Sequence, residues 1–427
     1  MNKPSDLGPK PKLSIPELNW DLQFPVHKVD RLESGSKIYT LPSSNPQLCY
    51  FELVFENGRR AEIQPLTARM TAAQIQEGSK DLMQSEIVDF FDFHGCSYSL
   101  FADLDFTIFS VSCLQKHFEK LIDFSIHLLA YPSFPEDKLA QGKIFMKSQL
   151  SHQLTEPDYV SYREMTSHLY GPKSFYAYNS TSELIDGVTR EQMVEYHQSN
   201  YTQEVLSVFY VGKTLDPDFW ATKLSILPRQ KKAKPAVSPM DYGNAIINHF
   251  PIPHCSQTSL KIGCGLFAKS DADYDSLYVI NSLLGDYFGS RLMRNIREEQ
   301  GLTYDIHSTL DVQLHGGCFY IGAEINAEEK VKTVELIKLE LRKLRSEPVP
   351  PEELQMVKNY LNGHLLRLID GPFQSVILLK ILMMEFKSIS AFDRLVDKIK
   401  NIDSDEILTL ADKYLHEDKM SVITAGV

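Results

Sequence analysis

Ile296-Arg297-Glu298-Glu299-Gln300-Gly301-Leu302-Thr303-Tyr304 reads as the last turns of a helix, a stop, and the first residues of a strand. Gly301 suits the left-handed turn that closes a helix, and residues 303–311 carry the branched and aromatic pattern of a strand. The same order stands earlier in the chain, where a helical pattern over 84–94 runs into Gly95-Cys96-Ser97-Tyr98 and a strand pair. A second pair of landmarks follows. Pro132-Ser133-Phe134-Pro135-Glu136-Asp137 precedes one long helical segment, and Pro348-Val349-Pro350-Pro351-Glu352-Glu353 precedes another. The pairs are offset by 206 and 216 residues. Two matched landmarks in one order point to a duplication.

Working outward, the first half reads as strands at 38–41, 48–55, 97–101, 105–113 and 205–211, with helices at 65–76, 84–94, 117–130, 136–153 and 191–199. The second half reads as strands at 246–250, 258–267, 303–311, 317–325 and 421–425, with helices at 274–284, 290–300, 328–345, 351–369, 374–386, 391–400 and 404–415. Strand pairs mixed with helix runs predict an α+β fold of two homologous α/β-sandwich halves. Each half is a mostly antiparallel sheet with helices packed on one face. The expected divisions are a Pro-rich arm over 1–25, a first domain over 26–228, a linker over 229–245 that carries Arg229-Gln230-Lys231-Lys232-Ala233-Lys234, and a second domain over 246–427.

The 427 residues are too many for one ordinary core. A formal net charge of -12 argues against a nucleic-acid partner. No apolar run reaches the roughly 18 residues of a membrane span, and the N-terminus has no apolar signal-peptide core, so the cytoplasm is the expected location. The six cysteines form no CxxC pair and read as buried thiols rather than disulfides.

A zinc peptidase needs two histidines on one helix face and a glutamate beside them to activate water. HxxxH, HExxH and HxxEH are all absent. His249 and His254 are separated by two prolines and cannot share a helix face. Gly263-Cys264-Gly265 lies inside a strand pattern and is no phosphate loop, no GxSxG elbow is present, and Leu382-Met383-Met384 reads as helix core.

Leu283-Leu284-Gly285, Ser290-Arg291-Leu292 and the stretch 296–304 resemble the C-terminal-domain signature of the insulinase-like metallopeptidases, which include pitrilysin and mitochondrial processing peptidase. Pro351-Glu352-Glu353-Leu354, continuing to Lys358-Asn359-Tyr360-Leu361, is similar to the same family. The resemblance covers nearly the whole chain past residue 25. It implies two halves that enclose a central peptide-binding cavity. It also implies a zinc motif whose second histidine lies five residues before a Gly-Thr pair.

Placing that pair on Gly78-Ser79 puts the histidine positions at Arg69 and Ala73, the water-activating glutamate position at Ala72, and the distant ligand position at Gln149. All four are altered. Arginine and alanine offer zinc no lone pair, and one neutral amide oxygen holds nothing alone. The resemblance therefore implies the zinc-less subunit of the small bacterial heterodimeric type. Such a chain has no cofactor and no activity of its own, and zinc sits in a homologous HxxEH-bearing partner. Arg297 and Tyr304 are then the residues that reach the peptide substrate. A competing expectation is a peptide-binding or scaffold protein with no peptidase role. Arg69 is expected to fill the vacated space with its own charge.

Overall fold

The protein is described by a computed structural model over residues 19–43, 45, 47–171, 174–177, 179–229 and 240–427. Most of the expected N-terminal arm and of the linker lies outside the described residues, so the boundaries at 1–25 and 229–245 stand as a proposal.

The first sheet holds β1 (Lys28–Arg31), β2 (Lys37–Pro42), β3 (Leu48–Phe55), β4 (Ser97–Ala102), β5 (Thr107–Leu114) and β6 (Leu206–Gly212), in the order β1-β2-β6-β3-β5-β4. The second holds β7 (Ile247–Pro251), β8 (Thr258–Leu266), β9 (Thr303–Val312), β10 (Gly317–Ile325) and β11 (Ser421–Gly426), in the order β7-β11-β8-β10-β9. With β1 set aside, the two orders are the same. In each sheet one pair is parallel, β2 with β6 and β7 with β11, and the remaining pairs are antiparallel. Gly95 and Gly301 both adopt a positive φ, 57° and 63°, at the matching helix-to-strand turns. The duplication is thus visible in topology and in backbone conformation.

The first half carries α1 (Thr67–Ile75), α2 (Gln84–Phe93), α3 (Phe118–Ala130), α4 (Glu136–Gln153), α5 (Pro157–Tyr170), α6 (Ser182–Gly187), α7 (Arg190–Asn200) and α8 (Pro217–Leu224). The second carries α9 (Tyr274–Asn281), α10 (Lys330–Ser346), α11 (Pro351–Leu368), α12 (Pro372–Met384), α13 (Ser390–Asn401) and α14 (Ser404–Tyr414). Two π-helical turns, Ser282–Asp286 and Met293–Glu299, replace α-helix where the sequence pattern read a plain helix. A layer of helices buries one face of each sheet, with Phe51, Phe91 and Leu121 in one core and Ile262, Phe319 and Leu341 in the other.

The opposite face of each sheet is also covered, and by the other half. Helix α5, which the sequence pattern did not reveal, lays Met165 and Leu169 against Cys318 and Ile423 of the second sheet. Helix α12 lays Val376 and Leu379 against Tyr39, Val54 and Phe209 of the first. Each crossing is fixed by a buried charge on a middle strand. Lys380 of α12 reaches Glu52 of β3 at 2.8 Å, and Asp158 of α5 reaches Lys261 of β8 at 2.5 Å. Glu52 and Lys261 are both buried. Removing the partner of such a charge costs about 3–5 kcal/mol, because the remaining charge cannot regain water. The end of the arm joins the same exchange. Trp20, Leu22 and Phe24 pack on the core of the second half, and Asn362 Nδ2 donates to Asn19 O at 2.9 Å.

A polar contact also spans the halves. The Tyr176 hydroxyl donates to the Asp105 carboxylate at 2.8 and 3.1 Å and accepts from the His315 backbone N–H at 3.3 Å, while Arg60 lies against the His315 ring. Burial of Asp105, which is 8% exposed, outweighs these hydrogen bonds and the attraction of Arg60, and pushes its carboxyl up to about 6 from 3.8. The native state therefore binds more protons than the unfolded chain between those values. Its stability falls as pH rises through that window and is level above it. We expect Asp105→Asn to be more stable than the native sequence at pH 7.5, by on the order of 1–3 kcal/mol, with the difference closing near pH 4. Urea unfolding at the two pH values measures it, and an equal difference at both would refute the assignment.

Candidate functional site

The helix on which the sequence places Arg69, Ala72 and Ala73 begins abruptly. Leu66 holds a left-handed φ of 73° ahead of α1, and the α1 segment ends at the Gly78-Ser79 turn. A Cβ at Gly78 would meet the Ser133 hydroxyl at 2.8 Å and force that side chain to shift. The turn pairs back onto the chain before α4, where the Ser133 N–H donates to Gly78 O at 3.1 Å. This contact sets α4 beside α1. Arg69 and Ala73, four apart, lie on one exposed face of α1. Arg69 Nη2 donates to Gln149 Oε1 of α4 at 3.4 Å. Two positions 80 residues apart, chosen by counting along the chain, are thus brought into contact.

Arg69, Ala73 and Gln149 line a cavity of about 490 Å³ between α1, α2, β4 and α4. Ala72 does not line it; its side chain is buried in the core of the first half. The cavity is rich in amides, with Gln74, Gln76, Gln84 and Gln141 joining Gln149, and Tyr98, Phe145 and Met146 form its apolar wall. Gln74 Oε1 is buried there without a hydrogen-bond partner, while Nε2 donates to Lys138 O at 3.3 Å. Lys138 in turn lies 3.6 Å from Glu77. Among the described residues, no group of three histidines, cysteines or carboxylates is arranged to hold a metal ion. The residues at the four motif positions do not fit zinc. A guanidinium has no free lone pair, alanine has no donor atom, and the one amide oxygen already accepts from Arg69.

The second set of residues stands on the other half. Arg297 belongs to the π-helical turn Met293–Glu299, and Tyr304 opens the edge strand β9. The Arg297 guanidinium lies 5.0 Å from the Tyr304 ring and 4.9 Å from the Phe288 ring. Tyr304 is 83% exposed and Phe288 63%, so both rings are held at the surface rather than in a core. Sequence reasoning paired Arg297 with Tyr304 and passed over Phe288, whose only signal was an aromatic ahead of Gly289-Ser290-Arg291. Arg291 has a different task. It is buried and makes a two-pronged ion pair with Glu353 at 2.8 and 2.9 Å, which ties the Ser290-Arg291-Leu292 stretch to the Pro351-Glu352-Glu353 stretch. Arg297 and Tyr304 are not among the residues lining the 490 Å³ cavity.

The spacing of the motif positions yields a test. We expect the triple variant Arg69→His, Ala73→His, Gln149→Glu to take up one zinc per chain, measured by metal analysis after dialysis, and the native sequence to take up none. Zinc in the native chain would mean that the ligands lie elsewhere, and no zinc in the triple variant would mean that α1 and α4 no longer hold the geometry of a metal site.

Comparison with known proteins agrees with this geometry. Residues 187–361 match the sequence profile described as "Peptidase M16 inactive domain". The "Uncharacterized zinc protease YmxG" of Bacillus subtilis is 22% identical over 297 residues, covering 68% of this chain and 71% of that protein. The "Probable inactive metalloprotease YmfF" of the same organism is 22% identical over 210 residues, covering 46% of this chain and 47% of that protein. A crystal structure of a peptidase M16 inactive domain from Pseudomonas fluorescens superposes with a TM-score of 0.87 at 23% identity, covering 94% of this chain and 98% of that one. The duplicated fold, the profile matched over 187–361 and the absence of HxxEH agree: the chain is similar to the insulinase-like M16 peptidases, and over 187–361 to their inactive domain.

Proposed function

We propose that this chain is the non-catalytic subunit of a heterodimeric insulinase-like zinc metallopeptidase. In this reading a homologous partner carrying HxxEH supplies zinc, water and general base. This chain supplies part of the chamber and binds and positions the peptide substrate. The observation that carries the reading is the contrast between the two candidate sites. The α1–α4 frame stands without ligands or base, whereas Arg297 is half-buried against two exposed rings. A guanidinium stacked on aromatic faces retains its in-plane N–H donors. Such donors suit a peptide carbonyl or the oxyanion that forms as water adds to it, and a phenol donates to the same oxygen. All six cysteines are free thiols, which accords with a reducing compartment such as the cytoplasm.

The test is reconstitution. The purified chain is assayed for zinc and peptidase activity alone and mixed with an HxxEH-bearing homologue from the same genome. We expect activity in the mixture only. Arg297→Ala and Tyr304→Phe should each lower kcat/KM of the mixture, by on the order of 10²-fold for the arginine and less for the phenol, with complex formation unchanged. Turnover that ignores both substitutions rules out the shared site. Failure to bind any such homologue favours a peptide-binding scaffold without a peptidase role.

A further inference from the structure

Three cysteines gather at one end of the first sheet. Cys49 on β3 and Cys113 on β5 are direct register partners, and both face the helix layer. Their Sγ atoms are 3.2 Å apart, in thiol-to-thiol hydrogen-bond contact. Cys96 immediately precedes β4, whose first residue, Ser97, pairs with Ser112 of β5, so it stands at the same end. Its thiol is taken up by Phe91 O at 3.4 Å. Directly opposed residues of an antiparallel pair have Cα atoms about 4.5 or 5.5 Å apart, inside the roughly 4.4–6.8 Å that a disulfide spans. Closing the Cys49–Cys113 contact to a bond of about 2.05 Å needs small side-chain rotations and no movement of either strand.

We propose that Cys49 and Cys113 form an oxidisable dithiol that takes a small hydroperoxide as its oxidant and closes to a cross-strand disulfide. The contact makes the two sulfurs unequal. With Cys49 as the donor, the contact holds the Cys113 thiol below its ordinary range, and the same contact, with burial, pushes Cys49 up. Cys113 is therefore the attacking thiolate. Its sulfur forms a bond to one peroxide oxygen and the O–O bond breaks. The departing hydroxide takes a proton and leaves as water, and Cys113 is left as the sulfenic acid. The Cys49 sulfur then attacks Cys113, the S–O bond breaks, and the second hydroxide leaves as water with the Cys49 proton. Two thiols and one hydrogen peroxide give one disulfide and two waters. Both side chains are buried, which excludes bulky disulfides and restricts the oxidant to one as small as hydrogen peroxide. The bridge would enclose residues 50–112, the segment that carries α1 and α2, and would pin both of its ends.

The experiment uses the full chain, reduced and then exposed to hydrogen peroxide. The free thiols are counted after quenching and unfolding, and the protein is mapped by non-reducing peptide mass spectrometry. The expected result is a fall from six free thiols to four, a Cys49–Cys113 linked peptide, and a Tm roughly 5 °C higher in the oxidised form. Cys49→Ala should stop at a sulfenic acid on Cys113 that dimedone traps, and Cys113→Ala should retain all five remaining thiols. Linkage through another pair would overturn the proposal. So would six surviving thiols at a peroxide level that oxidises the urea-unfolded chain. The wild-type map decides the matter even where an alanine variant fails to fold.

Discussion

Two ion pairs of opposite sense govern this molecule. The middle strand of the first sheet buries a glutamate, Glu52, and that of the second a lysine, Lys261. Neither strand carries an opposite charge for it. Each is answered by a helix of the other half, Lys380 on α12 and Asp158 on α5. Because a lone charge in such a place is strongly unfavourable, each sheet is complete only when the opposite half is folded against it. The apolar contacts of Val376 and Leu379, and of Met165 and Leu169, follow the same crossing and supply most of the burial. The two ancestral repeats are therefore interlocked rather than simply joined.

The frame around Arg69, Ala73 and Gln149 stands without a metal. Helix α1 is held by its buried residues Met70, Ala72 and Ile75, by the tight turn at Gly78, and by the chain before α4. None of these supports depends on zinc. Arg69 and Gln149 meet between α1 and α4, and amide side chains line the cavity beside them.

Much of this was legible in the sequence where a local rule fixes the structure. Gly95 and Gly301 marked matching turns because the left-handed backbone there favours glycine. Pro-Glu steps marked the beginnings of α4 and α11, where proline stands at the cap (Pro135) and in the first turn (Pro351). The Arg69–Gln149 contact followed from counting along a family pattern. Helix α5 was missed because its reason for being helical lies elsewhere: Met165 and Leu169 are buried by strands some 150 residues later or more. The π-helical turns escaped because a one-residue change in hydrogen bonding leaves the apolar period almost unaltered. Phe288 and the unpartnered oxygen of Gln74 are facts of tertiary placement, and no spacing rule announces them.

The docking of Trp20, Leu22 and Phe24 on the second half has a consequence for synthesis. The ribosome makes these residues first, yet the core that receives them is assembled from segments near the other end, such as α11 and α13. The face of the first sheet that waits for α12 is in the same position. A nascent chain released from the tunnel as far as the first repeat thus carries an unfilled aromatic anchor and an uncovered apolar sheet. Until the second repeat is made, such a chain exposes the kind of apolar surface that holding chaperones bind.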